Sequence, residues 1–316
     1  MWHPLALAFV RTSHTPRTVL ILLNHAHWAP HLSAPPLPQL SALCASTWMQ
    51  ATEVQRPNAA FTPTEAWRAR AAGLPTPSSG IAWAAWHAQQ QGSTDPRPAA
   101  LITPCHWDVN MTGVRMDDPD QLHLSDADSQ ALMAALAPLA EEDGIGLHWL
   151  NAQHWLAHGE VFAGLLSPSP AALIGEDLDA HLPQVRQNAA ATRLLRRLQN
   201  EAQMLFYNHP VHDSRHDQRL PAVNSIWYHG TGTLPTLSEA TPSTELSLLD
   251  ALRASGDLSQ AWTDIDRQVG DILNAHPQAE LLVSTPHGAR LWQRKPPPWW
   301  QRWRAKRSGD LLENLP

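Results

Sequence analysis

Short apolar segments recur along this chain and are separated by stretches with helical periodicity. The clearest helix is predicted over Ala189–Tyr207, where Leu195, Leu198, Ala202 and Leu205 form an apolar stripe. Strands are predicted at Val19–Leu23, Ala99–Thr103, Ala222–Tyr228 and Glu280–Ser284. Because strands and helices alternate throughout, we expect an α/β fold with a mixed, mainly parallel sheet and helices on both faces.

The length and composition fit one large globular domain. The chain has 316 residues, of which 43% are hydrophobic and 16% charged, so it can bury a sizeable core. We expect a single α/β domain over 18–295. The first 17 residues, 1–17, are predicted to be an N-terminal extension, and 296–316 a basic, Trp-rich C-terminal tail.

Charge and cysteine content restrict the expected partners and location. The net charge is −7 and the basic residues concentrate near the end, so most of the surface is acidic and no nucleic-acid partner is expected. The tail alone mixes tryptophan and arginine, which suits a membrane interface, a nucleic-acid surface or a segment packed on the body. No apolar run approaches the roughly 20 residues of a membrane span. Two cysteines make no disulfide framework, so we expect a cytoplasmic protein.

A dense polar cluster follows the long predicted helix. It contains His209, His212, Asp213, Arg215 and His216. Imidazole and carboxylate groups are common metal ligands, yet the spacing matches no recognised zinc motif. A structural turn is the ordinary interpretation. A third interpretation has His209 and Arg215 contacting an anion, because the guanidinium fork matches phosphate or carboxylate.

Two further segments could contribute to the same site. Thr103–Asp108 follows a predicted strand, and ligands in α/β folds gather where strands end, so His106 is expected to line a site while Cys105 packs inward. Asn224 lies in the strand before the turn from Gly230 to Gly232, whose backbone N–H groups could face a phosphate.

Acidic residues form one other candidate cation site. Glu141–Asp143 and Asp117–Asp118 could hold a hard cation, although charge runs at helix ends are usually solvated.

Several segments together resemble a bacterial family of RpfE-type regulatory proteins, also described as cofactor-independent phosphoglycerate mutases. The resemblance spans most of residues 18–315. Its main segments are Thr103–Trp107, Glu142–Ile145, Arg196–Glu201, His209–Val211, Val223–Trp227 and Gly230–Gly232. The stretch from His209 to Gly232 also resembles a block of the archaeal-type phosphoglycerate mutases. That resemblance implies an alkaline-phosphatase-like core, two Mn or Mg ions and a serine or threonine nucleophile.

The expected metal-binding motifs of those mutases do not occur in this sequence. We therefore favour a regulatory or ligand-binding member that takes a small phosphorylated or acidic metabolite without an evident cofactor. The alternative is an active mutase or phosphatase that uses Mn or Mg. The predicted anion pocket requires the strand end near Thr103 and the turn near His209 to share one hollow with the glycine turn. Its residues are His106, His209, Arg215, Asn224, Gly230 and Gly232.

Overall fold

The computed structural model describes residues 19–24, 26, 35–45, 49–54, 60–111, 113–234, 237–285 and 288–294. The described residues form two compact units: those within 1–53 and 241–316 make up one, and those within 54–240 make up the other. The sequence predicted one domain over 18–295, and the division arises because each unit has its own sheet and its own apolar core. The predicted extension 1–17 and tail 296–316 lie outside the described residues.

The first unit is built on a five-stranded sheet with strand order β11-β1-β12-β13-β2. Its elements are β1 Leu20–Asn24, α1 Pro38–Ala45, β2 Met49–Val54, β11 Ser243–Ser247, α8 Leu248–Ser255, α9 Leu258–Ala275, β12 Glu280–Thr285 and β13 Gly288–Arg294. Strand β1 runs parallel to both β11 and β12, whereas β12 and β13 are antiparallel. A strand with parallel neighbours is buried on both faces, which explains why the run Leu20–Leu23 is uniformly apolar.

One buried carboxylate organises the helices of this unit. Asp266 of α9 is 4% exposed and accepts hydrogen bonds from the backbone N–H groups of Gln39 (3.2 Å) and Leu40 (2.8 Å). These N–H groups belong to the first turn of α1, where they have no partner within the helix. Asp266 therefore ties α9 to the start of α1.

The second unit contains a four-stranded sheet with strand order β10-β3-β7-β6. Its elements are α2 Pro63–Ala71, α3 Trp83–Gln90, β3 Ala99–Cys105, β4 Trp107–Asn110, β5 Gly113–Met116, α4 Asp126–Glu142, β6 Gly146–Asn151, β7 His154–His158, β8 Leu165–Leu166, α5 Pro170–Leu173, β9 Gln184–Val185, α6 Ala189–Tyr207, α7 Val211–Asp217 and β10 Ser225–His229. Short 3₁₀ turns cover Pro119–Leu122, Glu160–Phe162 and Leu178–His181. Each neighbouring pair in the four-stranded sheet is antiparallel.

The central strand β3 is buried along its whole length because both faces of this sheet are covered. On one face Ile102 and Trp155 pack in the main core with residues of α4 and α6 such as Leu136 and Leu198. On the other face Leu101 packs with residues of α3 and β7 in a smaller cluster. Strand β3 thus supports helices on one side and the histidine-rich face described below on the other.

The predicted α/β class with a mixed sheet is confirmed, and the predicted helix Ala189–Tyr207 is confirmed as α6. The described parallel pairings occur in the first unit. The strand beginning at Ala99 extends through Pro104 to Cys105, and the predicted turn after His209 contains the helix α7. Among the described residues, no helix is both long enough and apolar enough to cross a membrane.

Candidate ligand-binding cavity

The structure does not gather the predicted anion-pocket residues around one hollow. Strand β10 pairs antiparallel to β3, with Ser225 opposite Cys105 and His229 opposite Leu101. His106 and Asn224 therefore lie at one end of this pair, while Gly230 and Gly232 lie beyond the other end. Ser225 and His229 are four positions apart along the strand, a distance of roughly 13 Å.

His106 and Asn224 both fasten the backbone where β3 turns into β4. The Asn224 amide accepts a hydrogen bond from Trp107 N (2.7 Å) and donates one to Trp107 O (3.0 Å). The ring Nδ1 of His106 lies 2.7 Å from Ala222 O. Both side chains therefore hold local backbone, and the Asn224 amide uses its oxygen and one of its N–H groups on Trp107.

Arg215 is a buried structural residue. It is 1% exposed, and its Nη2 donates to Leu122 O (2.6 Å) and Pro221 O (2.8 Å), while Nε donates to Pro221 O (3.0 Å). Its Nη1 lies 3.8 Å from an Asp128 carboxylate oxygen. Burial lowers the pKa of Arg215, and Asp128 opposes that shift. The guanidinium holds the 3₁₀ turn, α4 and the segment after α7 together.

His209 and Cys105 also serve local structure. The ring Nδ1 of His209 accepts a hydrogen bond from Val211 N at 3.3 Å, at the start of α7. Cys105 is fully buried, which raises the pKa of its thiol and confirms that it packs inward. None of His106, His209, Arg215 and Asn224 lines any of the cavities described next.

The largest of three cavities described for the second unit has a volume of about 710 Å³ and lies beside the glycine turn. Its wall includes the polar residues Asp95, Arg97, His158, Arg186, Thr231 and Thr233. Its apolar wall includes Ala85, Ala88, Ala99, Phe162, Leu165 and Leu234. We call this space the main cavity. Of the six predicted site residues, only Gly232 lines it.

The glycine turn is tightly packed against α3 and hydrogen-bonded to its neighbours. Gly230 has φ +67°, and a Cβ at Gly232, with φ +147°, would lie 3.0 Å from the Ala82 side chain. Gly230 O accepts a hydrogen bond from Ala84 N (2.9 Å), and Thr231 Oγ1 donates to Leu165 O (2.9 Å). The turn needs glycine for its conformation and for the approach of α3. It thereby fixes one wall of the main cavity.

Two arginines line the main cavity, and only one has its charge compensated. Arg97 binds the Asp95 carboxylate through Nε and Nη2 (3.0 and 2.6 Å) and donates from Nη1 to Gly144 O (2.9 Å). Its hydrogen bonds lower the pKa of the Asp95 carboxyl. The Arg186 backbone N donates to Gly164 O (3.0 Å), but its exposed side chain makes no hydrogen bond or ion pair with any described residue. Arg186 thus gives the cavity an uncompensated positive charge.

A histidine with an unsatisfied nitrogen forms another part of the wall. His158, the last residue of β7, is 1% exposed, and its Nε2 lies 3.5 Å from Ser93 Oγ. Its Nδ1 has no hydrogen-bond partner among the described residues. A serine activated by histidine needs a closer contact and a group that orients the second ring nitrogen. The pair offers polar contacts to a ligand and lacks the third member of a catalytic triad.

Further imidazoles lie on the sheet face under α3. The rings of His154 and His229 are 5.8 Å apart, and His229 Nε2 lies 2.9 Å from Thr103 Oγ1. Burial lowers the pKa of His154 to about 4, with His87 adding to the shift and Asp120 opposing it. Burial, followed by His154 and His87, also lowers the pKa of His229. This layer is therefore neutral near pH 7.

Two smaller cavities share lining residues with the main one. One of about 390 Å³, the second cavity, is lined by Ser78, Ser167, His181 and Gln184 among others. It shares Ser79, Leu166 and Arg186 with the main cavity. A third space of about 10 Å³ shares Ser79 and Thr231 with the main cavity. The three spaces share lining residues, and Arg186 lines both of the larger ones.

The described residues do not fit the metal ions that the mutase resemblance implies. No group of three or more His, Cys, Asp or Glu side chains among them is placed to hold a metal. In the acidic cluster, Asp143 pairs with Arg197. Asp118 accepts a hydrogen bond from Asp120 N (3.0 Å) and so caps a 3₁₀ turn. These two carboxylates serve local structure.

Comparison with known proteins found no matching family model and no match among curated proteins. Two solved structures are similar over most of their length. The cofactor-independent phosphoglycerate mutase from Thermoplasma acidophilum DSM 1728 is 12% identical, with a TM-score of 0.37, 88% of this chain and 90% of that chain covered. The PH0037 protein from Pyrococcus horikoshii is 10% identical, with a TM-score of 0.38 and coverage of 88% and 87%. The RpfE-type membership stays a prediction.

Proposed function

We propose that this protein binds a small phosphorylated or acidic metabolite in the main cavity, with Arg186 as the residue that recognises the acidic group. Binding of such a metabolite fits a regulatory or ligand-binding protein of the cytoplasm. The observation that carries it is the uncompensated Arg186 guanidinium at the wall of a cavity of about 710 Å³.

The size and lining of the cavity support a ligand site. Small-molecule sites usually occupy roughly 300–1,000 Å³, with an apolar wall and a few convergent polar groups. The main cavity has such a wall, and the hydrogen-bonded turn at Gly230–Gly232 fixes part of it. A preformed wall reduces the entropic cost of ordering the site when a ligand binds.

The charges around the cavity favour an anion. Arg97 and Asp95 neutralise each other, so the net contribution of the charged lining residues comes from Arg186. A guanidinium can bind carboxylate or phosphate through two parallel hydrogen bonds, and these charge-assisted bonds are stronger than neutral ones. Because Arg186 is exposed, salt should weaken this attraction.

Calorimetric titration of the full-length protein with inorganic phosphate and 3-phosphoglycerate would test the proposal. We expect binding that is on the order of tenfold weaker in Arg186→Gln, which corresponds to the loss of about 1.4 kcal/mol. Arg193→Gln is the matched control, because Arg193 is exposed on α6, has no partner among the described residues and lines none of the three cavities. Equal affinity in wild type and Arg186→Gln would refute the role of Arg186.

The same preparation distinguishes the enzymatic alternative. Metal analysis and a phosphoglycerate mutase assay with added Mn²⁺ are expected to give neither stoichiometric metal nor turnover. Stoichiometric metal together with turnover would overturn the ligand-binding assignment in favour of a phosphoryl-transfer enzyme of the mutase type.

A further inference from the structure

The two cavities that share Arg186 differ in size and in the polar groups of their linings. The main cavity presents a largely apolar wall, in which Phe162, Leu165 and Leu234 face the same space as the alanines of α3. The second cavity is smaller, and about half of its lining residues are polar. They supply hydroxyl, imidazole and amide groups from Ser78, Ser79, Ser167, His181 and Gln184, beside apolar residues such as Leu182. Arg186 lines both spaces, so a group bound to its guanidinium can have apolar surface on one side and hydrogen-bonding groups on the other.

We propose that the ligand is an amphipathic acid, in which an apolar acyl or aryl body fills the main cavity and a carboxylate or phosphate head lies at Arg186 toward the second cavity. This inference rests on the proposed function and names its ligand class. It excludes fully hydrophilic three-carbon phosphates as the preferred ligands.

The volume of the main cavity supports an apolar body. A space of about 710 Å³ is in the range that encloses a drug-sized molecule. An ionic head alone would leave most of the apolar wall in contact with water. An alkyl or aryl group would remove that wall from water and gain the corresponding hydrophobic stabilisation.

The charges near the junction place the head group. In the second cavity, Arg186 is the charged residue of the lining, and His181 is the titratable one. In the main cavity the carboxylate of Asp95 is held by Arg97. An acidic head at Arg186 therefore meets no unpaired carboxylate from either lining, and the serine hydroxyls can donate to its remaining oxygens.

Three phosphates with different bodies would test this assignment by calorimetry on the full-length protein: inorganic phosphate, 3-phosphoglycerate and phenyl phosphate. We expect the dissociation constant of phenyl phosphate to be at least about tenfold lower than those of the other two. Burial of an aromatic ring is expected to contribute at least the free energy that corresponds to this ratio. Arg186→Gln should weaken the binding of all three.

A cavity-filling variant would show where the aromatic ring lies. Ala88→Phe places a ring in the main cavity from α3, and we expect it to abolish the preference for phenyl phosphate while phosphate still binds. Ala134→Phe on the exposed side of α4 is the control and should keep the preference.

The possible failures are distinguishable. Arg186-dependent binding with equal affinities for the three phosphates, or with tighter binding of 3-phosphoglycerate, would overturn the amphipathic ligand class and leave the proposed function standing. If none of the three binds in an Arg186-dependent manner, the proposed function is overturned and this assignment with it. The comparison of ligands on the wild-type protein decides the matter even if Ala88→Phe does not fold.

Discussion

Arg215→Met should reduce the stability of the second unit substantially and leave anion binding intact. Methionine retains an unbranched apolar chain like the aliphatic part of arginine. The substitution removes the guanidinium, which donates to Leu122 O and Pro221 O. The side chain is 1% exposed, so water cannot easily replace the guanidinium at Leu122 O. Arg215 was predicted from sequence to contact an anion, and this variant separates that role from a structural one.

The size of the stability loss follows from the two carbonyl acceptors, Leu122 O and Pro221 O. An unsatisfied buried carbonyl such as Leu122 O costs about 1–3 kcal/mol, and the more accessible Pro221 O loses about 0.5–1.5 kcal/mol of hydrogen bonding. Loss of the 3.8 Å ion pair adds little, because Asp128 remains partly exposed and hydrated. Methionine avoids the desolvation of a buried charge, which offsets part of the loss. We therefore expect the free energy of unfolding to fall by roughly 2–3 kcal/mol.

Urea denaturation followed by circular dichroism, with Arg193→Met as the exposed control, would measure this change. The affinity for inorganic phosphate should remain within about twofold of wild type, a difference below 0.5 kcal/mol. The structural assignment would be refuted by a stability loss below about 1 kcal/mol accompanied by loss of phosphate binding, because that pattern belongs to a ligand contact.

Three further changes test other contacts. Asp266→Ala removes the carboxylate that accepts from Leu40 N, so urea denaturation should show the first unit destabilised by about 1–2 kcal/mol. Asn224→Ala frees both backbone groups of Trp107, so amide exchange in the hairpin β4–β5 should become faster with little change in α6. Because burial lowers the pKa of His154 to about 4 while the unfolded chain keeps a value near 6.5, the unfolded state binds more protons between these values. Stability should therefore fall as pH drops from 6.5 toward 4, and urea midpoints should fall less steeply in His154→Gln.

Local signals in the sequence were sufficient for much of the secondary structure. The helix α6 begins and ends where its apolar stripe indicated, and Thr62 and Glu65, three residues apart, form a capping box at the start of α2. These features depend on residues within one or two turns of each other. Strand β3 runs past Pro104, which lies opposite Ile226 of β10, and its pairing with β7 ends before that, at Ile102. The missing N–H of Pro104 therefore costs no hydrogen bond to β7.

The site was harder to predict because it depends on contacts between residues far apart in sequence. Arg215 has the chemistry of an anion-binding residue, and only the positions of Leu122 and Pro221 show that its Nε and Nη2 already donate to backbone carbonyls. Arg186 lies in no recognised sequence motif. It was proposed as a ligand contact because its side chain has no partner among the described residues and because it lines both of the larger cavities. No local pattern in the sequence could have identified it.

The strand-end rule that guided the sequence prediction does apply, at a different edge of the sheet. Strands β7 and β10 both run antiparallel to β3, so they are parallel to each other and their carboxyl ends lie at the same edge. His158 ends β7 and the turn Thr231–Gly232 follows β10, and both line the main cavity. Cys105 ends β3 at the opposite edge, where Asn224 fastens the backbone. The direction of β3 relative to its neighbours therefore decided which strand ends reach the main cavity, and the residues alone did not specify that direction.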